Sequence, residues 1–282
     1  MGLTDSVPLD RWTFERFGLT PSKLARRATD RSAPRVFCVS IPKAGTHLLE
    51  RALCLHPRMY RKLLPTVSDE NIEKYRGFEK LLARIRPGEV VASHLRFAPP
   101  YPEQLRRSRV AGVFLVRDPH DIVVSQVHYV SKRADHRLHD VFDERRDARE
   151  KLRLAIAGDR EAGAASIGER LDYFAGWLDA GCLVLRFEDL VGPGGGGDAE
   201  RQQASIASLL RHVGLGAQAG EEDGAVEAIA RELFSSESPT FRKGSAGGWR
   251  SAFDPELEAL FDQVVGDRAI PYGYGSPDRA GS

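Results

Sequence analysis

Residues 35–53 read RVFCVSIPKAGTHLLERAL. The apolar run Val36 to Ile41 predicts a buried parallel strand, because strands covered on both faces carry continuous apolar side chains. A short turn follows, Pro42-Lys43-Ala44-Gly45-Thr46. From His47 to Leu53 the residues favour helix and include no breaker. Strand, small-residue loop and helix form the layout of a phosphate cradle. Amide N–H groups at the helix start point at an anion, and the helix dipole favours negative charge there. Lys43 adds a mobile full charge. The loop is not a Walker A sequence, GxxxxGK[ST]. Lys43 precedes the glycine, and the loop is shorter.

Working outward, the same alternation recurs. Glu89 to His94 reads as a second strand that ends on a histidine. Residues 110–116 (VAGVFLV) form a third, with Arg117 at its carboxyl end. Asp118-Pro119 then starts a helix: Asp118 is a good N-cap, Pro119 a good first helical residue, and Asp121 complements the dipole. Ser125 lies further along that helix. Leu183 to Phe187 is a fourth strand, followed by Glu188-Asp189. Helices are expected within 70–84, over 167–178, near 199–213 and 222–234, and from Pro255 to about Val265. The polar stretch 131–165 reads as solvated helix or a mobile lid. The glycine run 192–197 reads as a flexible surface loop. Strands alternating with helices predict an α/β fold, a single domain with a central parallel sheet covered by helices on both faces. In such sheets ligands sit outside the carboxyl ends of the strands. Lys43, His94, Arg117 and the residues after Phe187 all fall at such ends.

Composition narrows the function. The chain has 282 residues and a net charge of +1, so any anion site is local, and the broad basic field of a nucleic-acid binder is missing. Residues 1–34 read as a polar N-terminal leader with Lys23 to Arg27 solvated, and residues 35–282 as the catalytic domain. Cys38, Cys54 and Cys182 show no metal-ligand spacing and read as reduced buried thiols, which points to a cytoplasmic protein. No secretory signal and no membrane span are visible.

Basic groups fall in separate places: Lys43 with the amides of 44–47, Arg117 with the hydroxyl of Ser125, and Arg242-Lys243-Gly244 in a glycine-rich loop. Two anion sites fit a ligand with phosphates at two ends, such as adenosine 3′,5′-bisphosphate (PAP). With these in view the chain resembles the sulfotransferases that use 3′-phosphoadenosine 5′-phosphosulfate (PAPS), of the cytosolic and bacterial small-molecule type. The resemblance is carried by Ile41-Pro42-Lys43-Ala44-Gly45-Thr46, by Leu115 to Ser125 (LVRDPHDIVVS), by Phe187-Glu188-Asp189-Leu190, and by residues 241–250 (FRKGSAGGWR). These are similar to the family's PKSGT, VRNPxDxxVS, YEDL and FRKGxxGxW elements, in the same order.

The resemblance implies a P-loop-NTPase-like sulfotransferase fold and a set of roles. Lys43, Ala44, Gly45, Thr46 and His47 hold the 5′-phosphosulfate. Arg117, Ser125, Arg242, Lys243 and Gly244 hold the 3′-phosphate, and Phe187 borders the nucleotide. His94 is the general base, with Lys43 and Ser125 as its catalytic partners. PAPS is the co-substrate, no metal is required, and the acceptor is a hydroxylated small molecule. Residues 57–88, 95–108 and 130–180 are expected to shape the acceptor pocket, with Tyr129, Phe174 and Trp177 as candidate apolar walls and core packing as the expected use of the last two. The chain departs from the family pattern at His47-Leu48 (Thr-Trp is common), Phe187 (for tyrosine), Ala92 (for lysine) and Gly248 (for aspartate). The family's dimer motif is not evident after Phe253. Competing readings are transfer to a carbohydrate or peptide hydroxyl, a small-molecule kinase, and a non-catalytic nucleotide-binding protein.

Overall fold

Five parallel strands form one sheet in the order β2-β3-β1-β4-β5. They are β1 (Val36–Ser40), β2 (Tyr60–Arg61), β3 (Glu89–Ser93), β4 (Ala111–Val116) and β5 (Leu183–Arg186). The computed structural model describes residues 20–216, 221–234 and 246–275. Every residue of β1 and β3 is buried, which is why their central residues are apolar on both faces rather than alternating with polar ones. The sequence did not announce β2, whose two residues carry no strand signature; it adds a short edge beside Glu89 and Val90.

Alternate β1 residues serve two cores. Phe37 and Val39 pack with Phe114, Val116, Trp177 and Phe261 on one face of the sheet. Val36 and Cys38 pack with Val113, Leu115, Leu49 and Ile206 on the other. The described helices in chain order are α1 (Pro21–Thr29), α2 (Thr46–Leu55), α3 (Phe78–Ala83), α4 (Tyr101–Ser108), α5 (Pro119–Ser131), α6 (His139–Asp143), α7 (Ala148–Ala157), α8 (Ile167–Phe174), α9 (Phe187–Leu190), α10 (Ala199–Val213), α11 (Glu221–Leu233) and α12 (Pro255–Val265). The middle position of β1, between β3 on one side and β4 on the other, opens a crevice at the carboxyl edge where ligands bind such sheets.

Capping chemistry set several boundaries as expected. Asp118 accepts from the His120 amide at the start of α5, and Asp254 accepts from the Leu257 amide at the start of α12. Elsewhere packing changed the reading. Lys23 is not solvated: it is buried, and its ammonium donates to the carbonyls of Cys54 and Met59. The helix expected within 70–84 is broken by Arg76 and Gly77, both at positive φ, into a 3-10 turn and α3. The stretch 131–165 buries Leu138, Phe142, Leu152 and Ile156 in the main core, so α6 and α7 belong to the body rather than to a solvated segment. The glycine run forms a tight turn closed by the Gly197 amide on the Gly192 carbonyl (2.8 Å). A Cβ at Gly194 or Gly197 would meet Phe234 or the Glu188 carbonyl within 2.7 Å, so these glycines permit close packing.

Candidate active site

The turn after β1 has an unusual backbone. Lys43 and Gly45 both sit at positive φ (76° and 106°), a conformation costing a non-glycine residue about 1–3 kcal/mol and usually held in place by its surroundings. The Arg117 guanidinium supplies part of that hold by donating to the Lys43 carbonyl (3.2 Å). Gly45 is required twice over, because a Cβ there would lie 2.6 Å from the Phe187 ring. Gly45, Thr46 and His47 line a cleft, and a helix leaves its first amides without intrahelical partners. Ala44 contributes shape instead: it is fully buried, and its own amide is engaged by the Ile41 carbonyl (2.9 Å). Thr46 points inward, 2.6 Å from the Ser40 hydroxyl.

A cleft of about 870 Å³ opens over this turn. Lys43, Gly45, Thr46, His47, His94, Arg117, Ser125 and Phe187 all line it, so residues from 43 to 187 come to one place apart from buried Ala44. Arg242, Lys243 and Gly244 lie outside the described residues.

His94 is fixed from two directions. Its backbone amide donates to the Val67 carbonyl (2.7 Å), and its Nδ1 lies 2.9 Å from the Ser40 carbonyl. A carbonyl only accepts, so Nδ1 carries the proton and the neutral ring keeps its lone pair on Nε2. Burial, aided by the positive charge of Lys43 and His47, lowers its pKa to about 4, against the smaller upward pull of the Ser40 bond. The imidazole is therefore neutral at pH 7 and oriented to accept a proton.

Lys43 faces a similar setting. Its ammonium lies 3.5 Å from the centre of the Tyr129 ring, and burial, with Arg117 and Arg133 nearby, lowers its pKa to about 8. The aromatic face is the attractive contact on that side. Tyr129 lies one turn beyond Ser125 on α5, and both line the cleft.

Arg117 lies 4.2 Å over the Phe187 ring and 3.8 Å from Asp121. Asp121 in turn grips the loop after residue 245: its carboxylate accepts from the Gly247 amide (2.7 Å) and the Trp249 amide (3.1 Å). Asp118 accepts from the Trp249 indole (3.0 Å), and His120 is stacked between Trp249 and Phe261. Glu188 accepts from the Asp118 amide (2.9 Å), joining the ends of β4 and β5. The glycine turn also takes part, since the Ala246 amide donates to the Gly195 carbonyl (3.0 Å). These braces were not singled out from the sequence, where the aspartates read as helix-start residues.

The expected acceptor regions do reach the cleft: Thr66, Ser68 and Asp69 from one, Arg96 from the next, and Leu138, Arg170 and Phe174 from the last. Trp177 does not line the cleft. It is fully buried, with its indole donating to the Leu95 carbonyl (2.9 Å). Ser40 was missed as the orienting group for His94, yet the register carries the signal: Val39 pairs with Ser93, which sets the next residues, Ser40 and His94, side by side.

A sequence profile described as the sulfotransferase domain matches residues 33–192. The chain belongs to that family. A 3-alpha-hydroxysteroid sulfotransferase of Cavia porcellus is 20% identical over 259 residues, 83% of each chain. Among solved structures, a mouse sulfotransferase complexed with PAP matches with a TM-score of 0.56 at 19% identity, covering 90% of this chain and 94% of its own. Retinol dehydratase in complex with androsterone and inactive cofactor PAP matches at 0.54 and 17% identity, covering 92% and 89%. The fold is thus that of the sulfotransferases. Among the described residues, no helix is long and apolar enough to cross a membrane.

Proposed function

We propose that this protein transfers the sulfuryl group of PAPS to a hydroxyl of a small-molecule acceptor, releasing PAP and a sulfate ester. The observation that carries the reading is one cleft lined by the start of α2, Lys43 and Arg117 together with a histidine whose free nitrogen is Nε2. The residues suit a nucleotide with two anionic ends: the turn at Gly45 admits no Cβ, and Lys43 and Arg117 line the same cleft.

In this reading the acceptor oxygen attacks sulfur, a new O–S bond forms, and the bond from sulfur to the 5′-phosphate oxygen breaks. Nε2 of His94 takes the acceptor proton, and PAP departs with the bonding electron pair. Lys43 and the amides of 45–47 neutralise charge that grows on the departing phosphate. Preorganised donors of this kind contribute roughly 3–4 kcal/mol each in a transition state. Arg117 and Ser125, with Arg242, Lys243 and Gly244, hold the 3′-phosphate, and the clamp makes the attack effectively intramolecular. Proton transfer and charge neutralisation are both provided by side chains and amides, so the reaction is assigned no metal. The steroid-directed relative and the androsterone-bound neighbour support a small hydroxylated acceptor over a carbohydrate or peptide. Reduced Cys38, Cys54 and Cys182 support a cytoplasmic setting.

The test is a PAPS-dependent mass-shift screen over hydroxylated metabolites, with thermal stabilisation by PAP as its control. Sulfated products and a PAP shift are expected. Turnover with ATP and Mg²⁺ but not with PAPS would sink the proposal in favour of a kinase.

A further inference from the structure

Arg170 stands out among the charges of the cleft. It projects from α8 and is only 7% exposed, yet it lines the cavity. Three other cleft arginines have acids beside them, Arg96 with Asp69 (3.6 Å), Arg117 with Asp121 (3.8 Å) and Arg137 with Glu70 (3.8 Å), while Arg51 donates to the backbone carbonyls of Glu232 and Leu233. Arg170 has no acidic partner among the described residues. The acids beside it on α8 are turned to other work: Glu169 caps its own helix through the Ser166 amide, and Asp172 pairs with Arg268.

What Arg170 does contact is neutral. Nη1 donates to Oε1 of Gln126 (2.7 Å), and Nη2 lies 3.5 Å from the Ala155 carbonyl at the end of α7. Its Nε is buried without a hydrogen-bond partner among the described residues. Burial alone lowers its pKa to about 10, with no carboxylate nearby to offset it. Isolated buried charges are strongly disfavoured, and an arginine fork fits a carboxylate through two parallel bonds. Gln126 adds a second donor at the same place. Its Oε1 faces Arg170, which leaves the NH₂ of its amide free to donate. Gln126 follows Ser125 on α5, so the pair shares the cavity with Lys43 and His94.

We infer that Arg170 and Gln126 recognise a carboxylate on the acceptor, and that the natural substrate is a hydroxy acid rather than a neutral alcohol. This rests on the sulfuryl-transfer reading and narrows its substrate class. The remaining acid-paired arginines have their charge answered within the protein, whereas Arg170 gains its counter-charge when such an acceptor enters.

The experiment is a matched panel: phenolic and aliphatic hydroxy acids, each beside its methyl ester, with PAPS as donor. Wild-type protein is expected to favour the acids by tenfold or more in kcat/KM. Arg170→Met, similar in volume, should bring the acid-to-ester ratio close to one, while Arg170→Lys should retain part of the preference. Gln126→Leu should lower the ratio as well. The wild-type ratio stands as a test even if the Arg170 variants do not fold. Equal turnover of both members, preference for the esters, or an unchanged ratio in Arg170→Met overturns the inference and assigns Arg170 to bracing α7 and α8. So does a protein that binds PAP and turns over no acid. A protein that neither binds PAP nor uses PAPS takes down the transfer reading, and this inference with it.

Discussion

His94 donates Nδ1–H to the carbonyl of Ser40, the last residue of the neighbouring strand, across 2.9 Å. The bond fixes which nitrogen can act as a base before any substrate arrives. It also joins the strand that leads to His94 to the strand that leads to the Lys43 turn, so the two parts of the proposed site share one rigid support. Because the ring is buried near Lys43 and His47, its pKa falls to about 4. We expect the ring to titrate near 4 by NMR in the free protein, and the value to rise when PAP brings negative charge. An imidazole titrating near the ordinary ~6.5 in the free protein would contradict this environment. His94→Ala should abolish transfer while leaving PAP binding within a few-fold.

The same shift predicts acid sensitivity of the fold. The unfolded chain protonates this histidine below about 6.5, whereas the folded chain resists until about 4. Between those values the unfolded state binds more protons, so stability falls as pH falls through that window. Urea unfolding at pH 7 and pH 4.5 should show a smaller loss for His94→Gln than for the wild type. Other groups that titrate in the window are common to both proteins and cancel in the difference. An equal loss would show that His94 titrates normally in the folded state.

Lys43 is lowered to about 8, so its charge is lost above that pH in the free protein. PAP affinity should fall as pH rises past 8, by up to about tenfold per unit, because binding must then restore the proton. Lys43→Met should bind PAP more weakly at pH 7 and lose this pH dependence. Transfer should fall by about 10²–10³, the usual effect of removing one transition-state donor. Calorimetric titration at pH 7 and pH 9 reads the affinity. A flat wild-type profile would mean that Lys43 does not face the nucleotide.

How far the sequence reached depends on how local each cause was. The buried strands announced themselves through the apolar residues at the centres of β1 and β3, and the caps Asp118 and Asp254 act within a few residues of themselves. Lys43, His94 and Arg117 were legible because strand ends gather at one edge of a parallel sheet. What stayed hidden required partners distant in sequence. Lys23 looked like a solvated charge until the carbonyls of Cys54 and Met59 were seen around it. The polar stretch 131–165 hides Phe142 and Ile156 among charges, and only the fold shows both facing the core. Asp121 read as a dipole partner, yet its carboxylate holds a loop 126 residues away. Arg170 was one basic residue among many until its exposure and neighbours were known.

Gly45 bears two constraints that only a glycine satisfies without strain. Its φ is 106°, and a Cβ would stand 2.6 Å from the Phe187 ring. Phe187 cannot easily retreat, because it is buried and has Arg117 packed on its face at 4.2 Å. Gly45→Ala should lower Tm and weaken PAP binding by tenfold or more. Gly45→Ala combined with Phe187→Leu should recover part of the loss, since the side chain in the way is removed while the φ penalty remains. No recovery would mean that backbone conformation alone accounts for the loss.

Asp121 reaches from α5 to the Gly247 and Trp249 amides, and Asp118 holds the Trp249 indole. The loop so gripped follows directly on Arg242, Lys243 and Gly244, the residues assigned to the 3′-phosphate. Asp121→Ala removes the acceptor of both amides at once, and a hydrogen bond to a charged group contributes about 1.5–3 kcal/mol. It also deprives Arg117 of its acidic neighbour. We expect PAP affinity to fall by tenfold or more, with the far-ultraviolet circular dichroism of the fold retained. Trp249 should become more accessible to a fluorescence quencher, since its stacking on His120 depends on the docked loop. Asp121→Asn, which keeps an oxygen for only part of this bonding, should lie between the two. A variant Asp121→Ala that binds PAP as tightly as the wild type would separate the docked loop from the nucleotide site.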